Sequence, residues 1–172
     1  RLAGLPAGLE RQRRVLEAQA LIDSQRVQLA LDMLSPLSGR DADLLRVDAL
    51  WQSRRYREAA ELIETLYGPD LAAGTLSPIA RGNIVKAAVG YVLANDGIGL
   101  SRLRSKYAGV MASAPEWPMF AYVTDSVSST SQGFIDIARD IAAIDPLNGF
   151  LNAYREIYQP QDAIVPARAG AA

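Results

Sequence analysis

The chain has 172 residues, 49% of them hydrophobic, 7% aromatic and 22% charged, with 18 basic against 19 acidic residues. It holds no Cys and no His, which excludes disulfides, zinc knuckles, iron–sulfur ligation, thiol nucleophiles and any Ser–His or Cys–His triad within the chain. The near balance of charge disfavours a duplex-binding role, because phosphate recognition normally leaves a net basic footprint; no nucleic acid partner is expected.

The first periodic segment covers residues 9–23, with Val15, Leu16, Ala18 and Ile22 on one helical stripe. Ser24 is placed to cap a second helix carrying Val27, Leu31 and Leu34, which Ser35-Pro36 and Ser38-Gly39 terminate. Asp41 or Asp43 then caps a third helix with Leu44, Leu45, Val47 and Leu50 inside and Trp51 near its end. A fourth, marked by Tyr56, Ala59, Ala60, Ile63 and Leu66, is closed by Gly68-Pro69, the Gly-then-Pro order of a helix C-terminus.

Ser77-Pro78 opens a fifth helix as N-cap and first helical residue. It runs to about Ala94, buried through Ile84, Val85, Ala88, Val89 and Val92, and Asn95-Asp96-Gly97 turns it into a sixth bearing Leu100, Leu103, Tyr107 and Val110. A short helix over 119–124 leads into the Ser/Thr stretch 126–131, and further helices are marked by Phe134, Ile135, Ala138 and Ile141, then by Phe150, Leu151, Tyr154 and Ile157. From residue 159 the chain is Pro-, Ala- and Gly-rich without periodicity, so 159–172 reads as a disordered tail.

The sum is an all-α fold of about nine helices on short connections, which packs consecutive helices into antiparallel hairpins. No apolar run reaches the ~20 residues of a membrane helix, so no direct membrane insertion by this stretch is expected. The opening Arg1-Leu2, without an initiator Met, reads as a processed product or a piece of a longer polypeptide. Apart from Lys86 and Lys106 every basic residue is arginine, an association with GC-rich bacterial coding.

Aligned on the inter-helix turn, Val27-Gln28-Leu29-Ala30 pairs with Tyr56-Arg57-Glu58-Ala59, with second anchors at Leu34 and Ile63 and upstream close-contact positions at Ala18 and Val47. This pattern resembles the tetratricopeptide repeat. Tyr56, Ala59, Ile63 and Pro69 match it best; Val47 stands where a small residue belongs, and in the third unit, Val89 through Leu103, Ser101 stands where Ala belongs. The resemblance implies a tetratricopeptide-like α-solenoid over residues 9–112, capped by helices in 115–158. The stretch Arg81-Gly82-Asn83-Ile84-Val85-Lys86-Ala87-Ala88-Val89 resembles the C-terminal part of large alphaproteobacterial envelope proteins carrying such repeats. So do Leu103-Arg104-Ser105-Lys106-Tyr107 and Phe150-Leu151-Asn152-Ala153-Tyr154-Arg155. That resemblance implies a periplasmic module of a membrane-anchored protein, with a cytoplasmic setting as the alternative.

Glu58, Glu61 and Glu64 recur at three-residue spacing, but a carboxylate metal site needs a second acidic helix and usually His, so a solvated face is expected and no metal or cofactor. Asn95 to Gly99 lacks the strand and the Gly-Lys-Ser/Thr ending of a phosphate loop and reads as a turn. The clusters Arg11-Gln12-Arg13-Arg14 and Arg54-Arg55-Tyr56-Arg57 read as solvated surface. Ser126 to Ser131 offers hydroxyls without a base, Ser101 and Ser105 near Lys106 fall on an exposed helix turn with a Ser–Lys nucleophile pair as the remote alternative, and Trp51 and Trp117 read first as packing residues.

What remains is shape. In superhelical repeats the first helix of each hairpin lines the concave side, and the repeat frame puts Gln12, Gln19, Asp23, Asp48, Trp51, Gln52, Asn83 and Lys86 there. Their amides and charges suit a peptide backbone. The expected function is a noncatalytic protein–protein interaction or scaffolding module with a protein or peptide partner. The alternatives are a carboxylate-based hydrolase or transglycosylase on a helical superhelix, and a self-assembly module forming a homo-oligomer.

Overall fold

The computed structural model describes residues 6–72 and 74–125. Among them are seven helices and no strand: α1 (Ala7–Asp23), α2 (Val27–Leu34), α3 (Arg40–Gln52), α4 (Tyr56–Ala72), α5 (Pro78–Leu93), α6 (Gly97–Met111) and α7 (Trp117–Thr124). The all-α expectation is met. The helices marked by Phe134 and by Phe150, the Ser/Thr stretch and the tail of 159–172 lie outside the described residues.

One turn is used three times. At the ends of α1, α3 and α5, Gln25, Arg54 and Asn95 adopt the left-handed conformation, with φ of 63°, 60° and 53°. Each N–H donates back to the third carbonyl before it, Ile22, Trp51 and Val92, at 3.0, 3.0 and 2.9 Å. The next N–H, on Arg26, Arg55 and Asp96, donates to Leu21, Leu50 and Tyr91 at 2.8, 2.9 and 2.8 Å. This is a Schellman motif each time, and it returns the chain along the helix it has just left, so α1–α2, α3–α4 and α5–α6 pack as hairpins.

The identical turns set the alignment of the three hairpins. Ala18, Val47 and Ala88 stand two helical turns before the left-handed residue and are all buried. Ala30, Ala59 and Leu100 occupy one position of the second helices and are buried too. The expected third unit was therefore one residue out of register, Ala88 and not Val89, Leu100 and not Ser101. Its turn had no aromatic to mark it, since Gly97 stands where Tyr56 does.

Several local readings change. Ser24 closes α1 instead of opening α2: its hydroxyl donates to Ala20 and Leu21 carbonyls at 2.8 and 3.1 Å. Neither Asp41 nor Asp43 caps α3, whose N-cap is Gly39 at φ 114°; both lie in the first turn, where their charge suits the helix dipole. Pro69 does not end α4, which runs on to Ala72. So near the C-terminus a proline forfeits only one intrahelical bond. The opening of α5 is as expected, with Ser77 accepting from the Ala80 N–H at 3.1 Å. Asp96 caps α6 in the same way through Gly99, at 2.9 Å.

Helix α5 is the centre of the molecule. It is apolar on nearly every side, with Ile84, Val85, Ala87, Ala88, Val89 and Tyr91 all buried, and it packs on α4, α6 and α7; a helix hydrophobic all round belongs inside. Gly90 lets it close on α3 and α4: a Cβ there would stand 3.0 Å from the Tyr56 carbonyl and 3.2 Å from the Ala60 Cβ. Leu16 and Leu44, expected inside, are 70% and 37% exposed.

Candidate functional site

The residues expected to line the first-helix side divide by burial. On α1, Gln12 and Asp23 are exposed, and Gln19 donates to the Asp23 carboxylate at 2.9 Å. On α3, Gln52 is exposed, whereas Trp51 is only 3% exposed. On α5, the Asn83 amide donates to the Tyr67 hydroxyl at 3.1 Å and to the Ile79 carbonyl at 2.9 Å.

Asp48, Trp51 and Lys86 come together across α3 and α5. The Lys86 ammonium is 3.4 Å from Asp48 Oδ1 and 5.0 Å from the Trp51 ring centre, and its side chain is 6% exposed against 48% for Asp48. Tyr56 meets Trp51 edge-on at 5.3 Å. A buried ammonium is tolerable only where charge and π-density replace water, and Asp48 and Trp51 supply both. The frame thus brought three of its residues into one contact, but Trp51 and Lys86 form its floor. Gln12, Asp23 and Gln52, with the outer side of Asp48, are the groups that face solvent.

A second polar site was not foreseen. Glu64 on α4, expected on a solvated acidic face, is 9% exposed. Its Oε1 accepts from the Tyr91 hydroxyl at 2.5 Å and from Arg102 at 3.1 Å; its Oε2 lies 3.4 Å from the Lys106 ammonium. Burial and then the Glu64 hydrogen bond push the Tyr91 hydroxyl pKa up, and the Glu64 bond raises Arg102 in turn. Glu61, Glu64, Thr65, Arg102 and Lys106 line an open depression between α4 and α6. With donors on both oxygens, Glu64 ties the second hairpin to the third. The signal for it was a carboxylate in phase with Ala60 and Tyr67 on the buried side of α4, facing a tyrosine and two cations on the next hairpin.

The remaining motifs are structural. Arg11 pairs with Asp41 at 2.5 Å and also donates to the Ser38 carbonyl at 2.8 Å, tying α1 to the start of α3. Arg13 and Arg14 pair with Glu10, Arg55 with Glu58, and Arg57 with Asp96. Ser105 donates to its own helix at Ser101 O, 3.0 Å, while Lys106 is committed to Glu64. Among the described residues no group of three acidic side chains is arranged to hold a metal, and no helix is long and apolar enough to cross a membrane. Compared with protein-family models, curated proteins and solved structures, the chain matches none.

Proposed function

We propose that this chain is a noncatalytic protein-interaction module: a tetratricopeptide-like stack of helical hairpins within a larger, membrane-anchored bacterial envelope protein, working on the periplasmic side. The observation that supports the stack is the shared register of the hairpins. Three turns with one hydrogen-bonding pattern put equivalent residues at equivalent burial, and the first helices contact one another, α1 on α3 directly and α3 on α5 through Asp48–Lys86. The envelope setting rests on the resemblance of the segments 81–89 and 103–107.

The partner on this reading is an extended peptide segment laid across α1, α3 and α5. Gln12, Gln52 and the carboxylates of Asp23 and Asp48 would meet its backbone amides, with Trp51 and Lys86 holding the floor rigid beneath it. Among the described residues, the depression that a carboxylate enzyme could use is the one lined by Glu61 and Glu64. The donors held by both Glu64 oxygens argue for a structural tie there instead.

Panning a displayed random-peptide library against the full chain tests the proposal. A family of related peptides should be enriched, with affinity falling about tenfold or more, over 1.4 kcal/mol, in Gln12→Ala/Asp23→Ala/Gln52→Ala. These positions are exposed, so far-UV circular dichroism should be unchanged. Enrichment indifferent to the triple substitution, or none at all, would sink the reading.

A further inference from the structure

We infer that the outer stripe of α1, Leu16 and Ala20 with Leu9 before them, is a docking surface whose occupant is one more helical hairpin of the same construction. The shared turn register carries the argument. Counted back from the left-handed residue of each turn, Leu16 on α1 is equivalent to Leu45 on α3 and to Lys86 on α5; Ala20 is equivalent to Ala49 and Gly90.

On α3 and α5 this register meets the preceding hairpin. Ala49 packs with Ile22 and Ala30 of α1–α2, and Leu45 packs against both apolar clusters of that hairpin. Lys86 lies on Asp48 and Trp51 of α3, and Gly90 lies against α4 at Ala60. Small residues recur because two helix backbones must approach there. In α1 the same register faces water: Leu16 is 70% exposed, Leu9 is 51% exposed and Ala20 is exposed. Arg13 departs from the pattern, standing where α3 has the buried Ala42, and it is paired with Glu10 and Glu17 at the edge of the stripe.

The other end of the stack differs. Helix α7 packs on both α5 and α6, as α3 packs on α1 and α2, and buries Phe120 and Val123 there. Among the described residues α7 fills that position, so the α1 stripe of a second copy has no open α5–α6 face to add to, and a hairpin in front of α1 is the occupant that continues the observed packing. The inference rests on the repeat register of the proposed function and not on peptide binding, so indifference of peptide capture to the Gln12/Asp23/Gln52 substitutions would leave it untouched.

The test fuses a second copy of residues 7–39 in front of the full chain, so that residues 35–39 and 1–6 together make the connection. The fused protein should be monomeric, with amide exchange in the original α1 slowed about tenfold or more, an opening cost raised by over 1.4 kcal/mol. Leu16→Glu should abolish that slowing while leaving the melting temperature of the unfused chain unchanged, because Leu16 touches little there. Unchanged exchange on fusion, or slowing that survives Leu16→Glu, overturns the inference. So does an unfused chain that sediments as a dimer and becomes monomeric with Leu16→Glu, which would make a second copy the occupant.

Discussion

Helices α1 and α2 join the rest of the described chain chiefly through two small apolar clusters, Ala18–Leu34–Ala42 and Ile22–Ala30–Ala49, with Leu31 of α2 reaching the edge of the main core. Helices α3 to α7 close around one continuous core that begins at Val47 and reaches Val123. The first hairpin compensates with polar ties: Arg11 on Asp41 and Ser38, and Arg46, which pairs with Asp43 and donates to the Leu34 and Leu37 carbonyls at and just after the end of α2. Such ties sit at the surface and are screened by salt, whereas core burial is not. The same turn and the same register therefore carry two levels of stability. A hairpin is only as firm as the neighbours on its two faces, and among the described residues α1 has a neighbour on one.

The sharpest test of that contrast is a pair of core truncations. Ile84→Ala should cost about 2–5 kcal/mol and lower the urea midpoint of the whole fold, because α5 touches every part of the main core. Leu34→Ala should cost a comparable amount but speed amide exchange only in α1 and α2. If Leu34→Ala exposed the α5 amides equally, the two regions would be one cooperative unit and the contrast would be broken.

The tie between the second and third hairpins comes next. Glu64→Ala leaves the buried Tyr91 hydroxyl without its acceptor and Lys106 without its carboxylate, with Arg102 keeping only the Tyr91 oxygen, and should destabilise by about 1–3 kcal/mol, measured by thermal unfolding. Tyr91→Phe removes the donor to Glu64 and one acceptor of Arg102, and should cost about 1 kcal/mol. Equal losses would show that the direct contacts of Arg102 and Lys106 with Glu64 contribute little.

The turns give a gain. Glycine relieves the left-handed strain of roughly 1–2 kcal/mol but adds backbone entropy to the unfolded chain. Gln25→Gly and Arg54→Gly should each stabilise by about 0.5–1 kcal/mol, with Asn95→Gly below them because Asn tolerates that conformation. Gln25→Gly should slow exchange chiefly in α1–α2, which makes it a probe of the weaker region.

The smallest effect is electrostatic. The Arg11 hydrogen bonds hold the Asp41 carboxyl at about 2, below its ordinary 3.8. A depressed carboxylate contributes stability that is present above its unfolded value and lost as pH falls through its folded one. Protection of α1 should therefore decline between about pH 4 and pH 2, and Arg11→Ala should flatten that decline. An unchanged profile in Arg11→Ala would assign the acid sensitivity elsewhere.

Much of this was legible because it is local. Ser77-Pro78 announced its helix, since a side-chain oxygen three residues from an open N–H needs no tertiary help; Asp96 caps α6 by the same chemistry but was read only as part of a turn. The Asn95–Gly99 segment was readable as a turn for the same reason. Gly68-Pro69 misled because the same pair also fits the last turn of a helix that continues. Glu64 misled because its partners, Tyr91, Arg102 and Lys106, come from another hairpin. Lys86 was grouped with Asp48 and Trp51, which it does contact, but its burial under Asp48 depends on how closely α5 approaches α3.

The sequence by itself determined that the chain is helical where described, that Ser77-Pro78 opens α5, and that Ala18, Ala30 and Ala59 sit on buried faces. Those follow from 3.6-residue periodicity, capping and turn chemistry, which act within a few residues. Only the tertiary structure decided that the three turns are one motif in one register, that Trp51 and Lys86 lie beneath the surface they were expected to form, and that the Leu16 stripe stands open while its equivalents are covered. Each of these depends on which hairpin lies against which face, a relation between residues far apart in the chain that helical period does not encode.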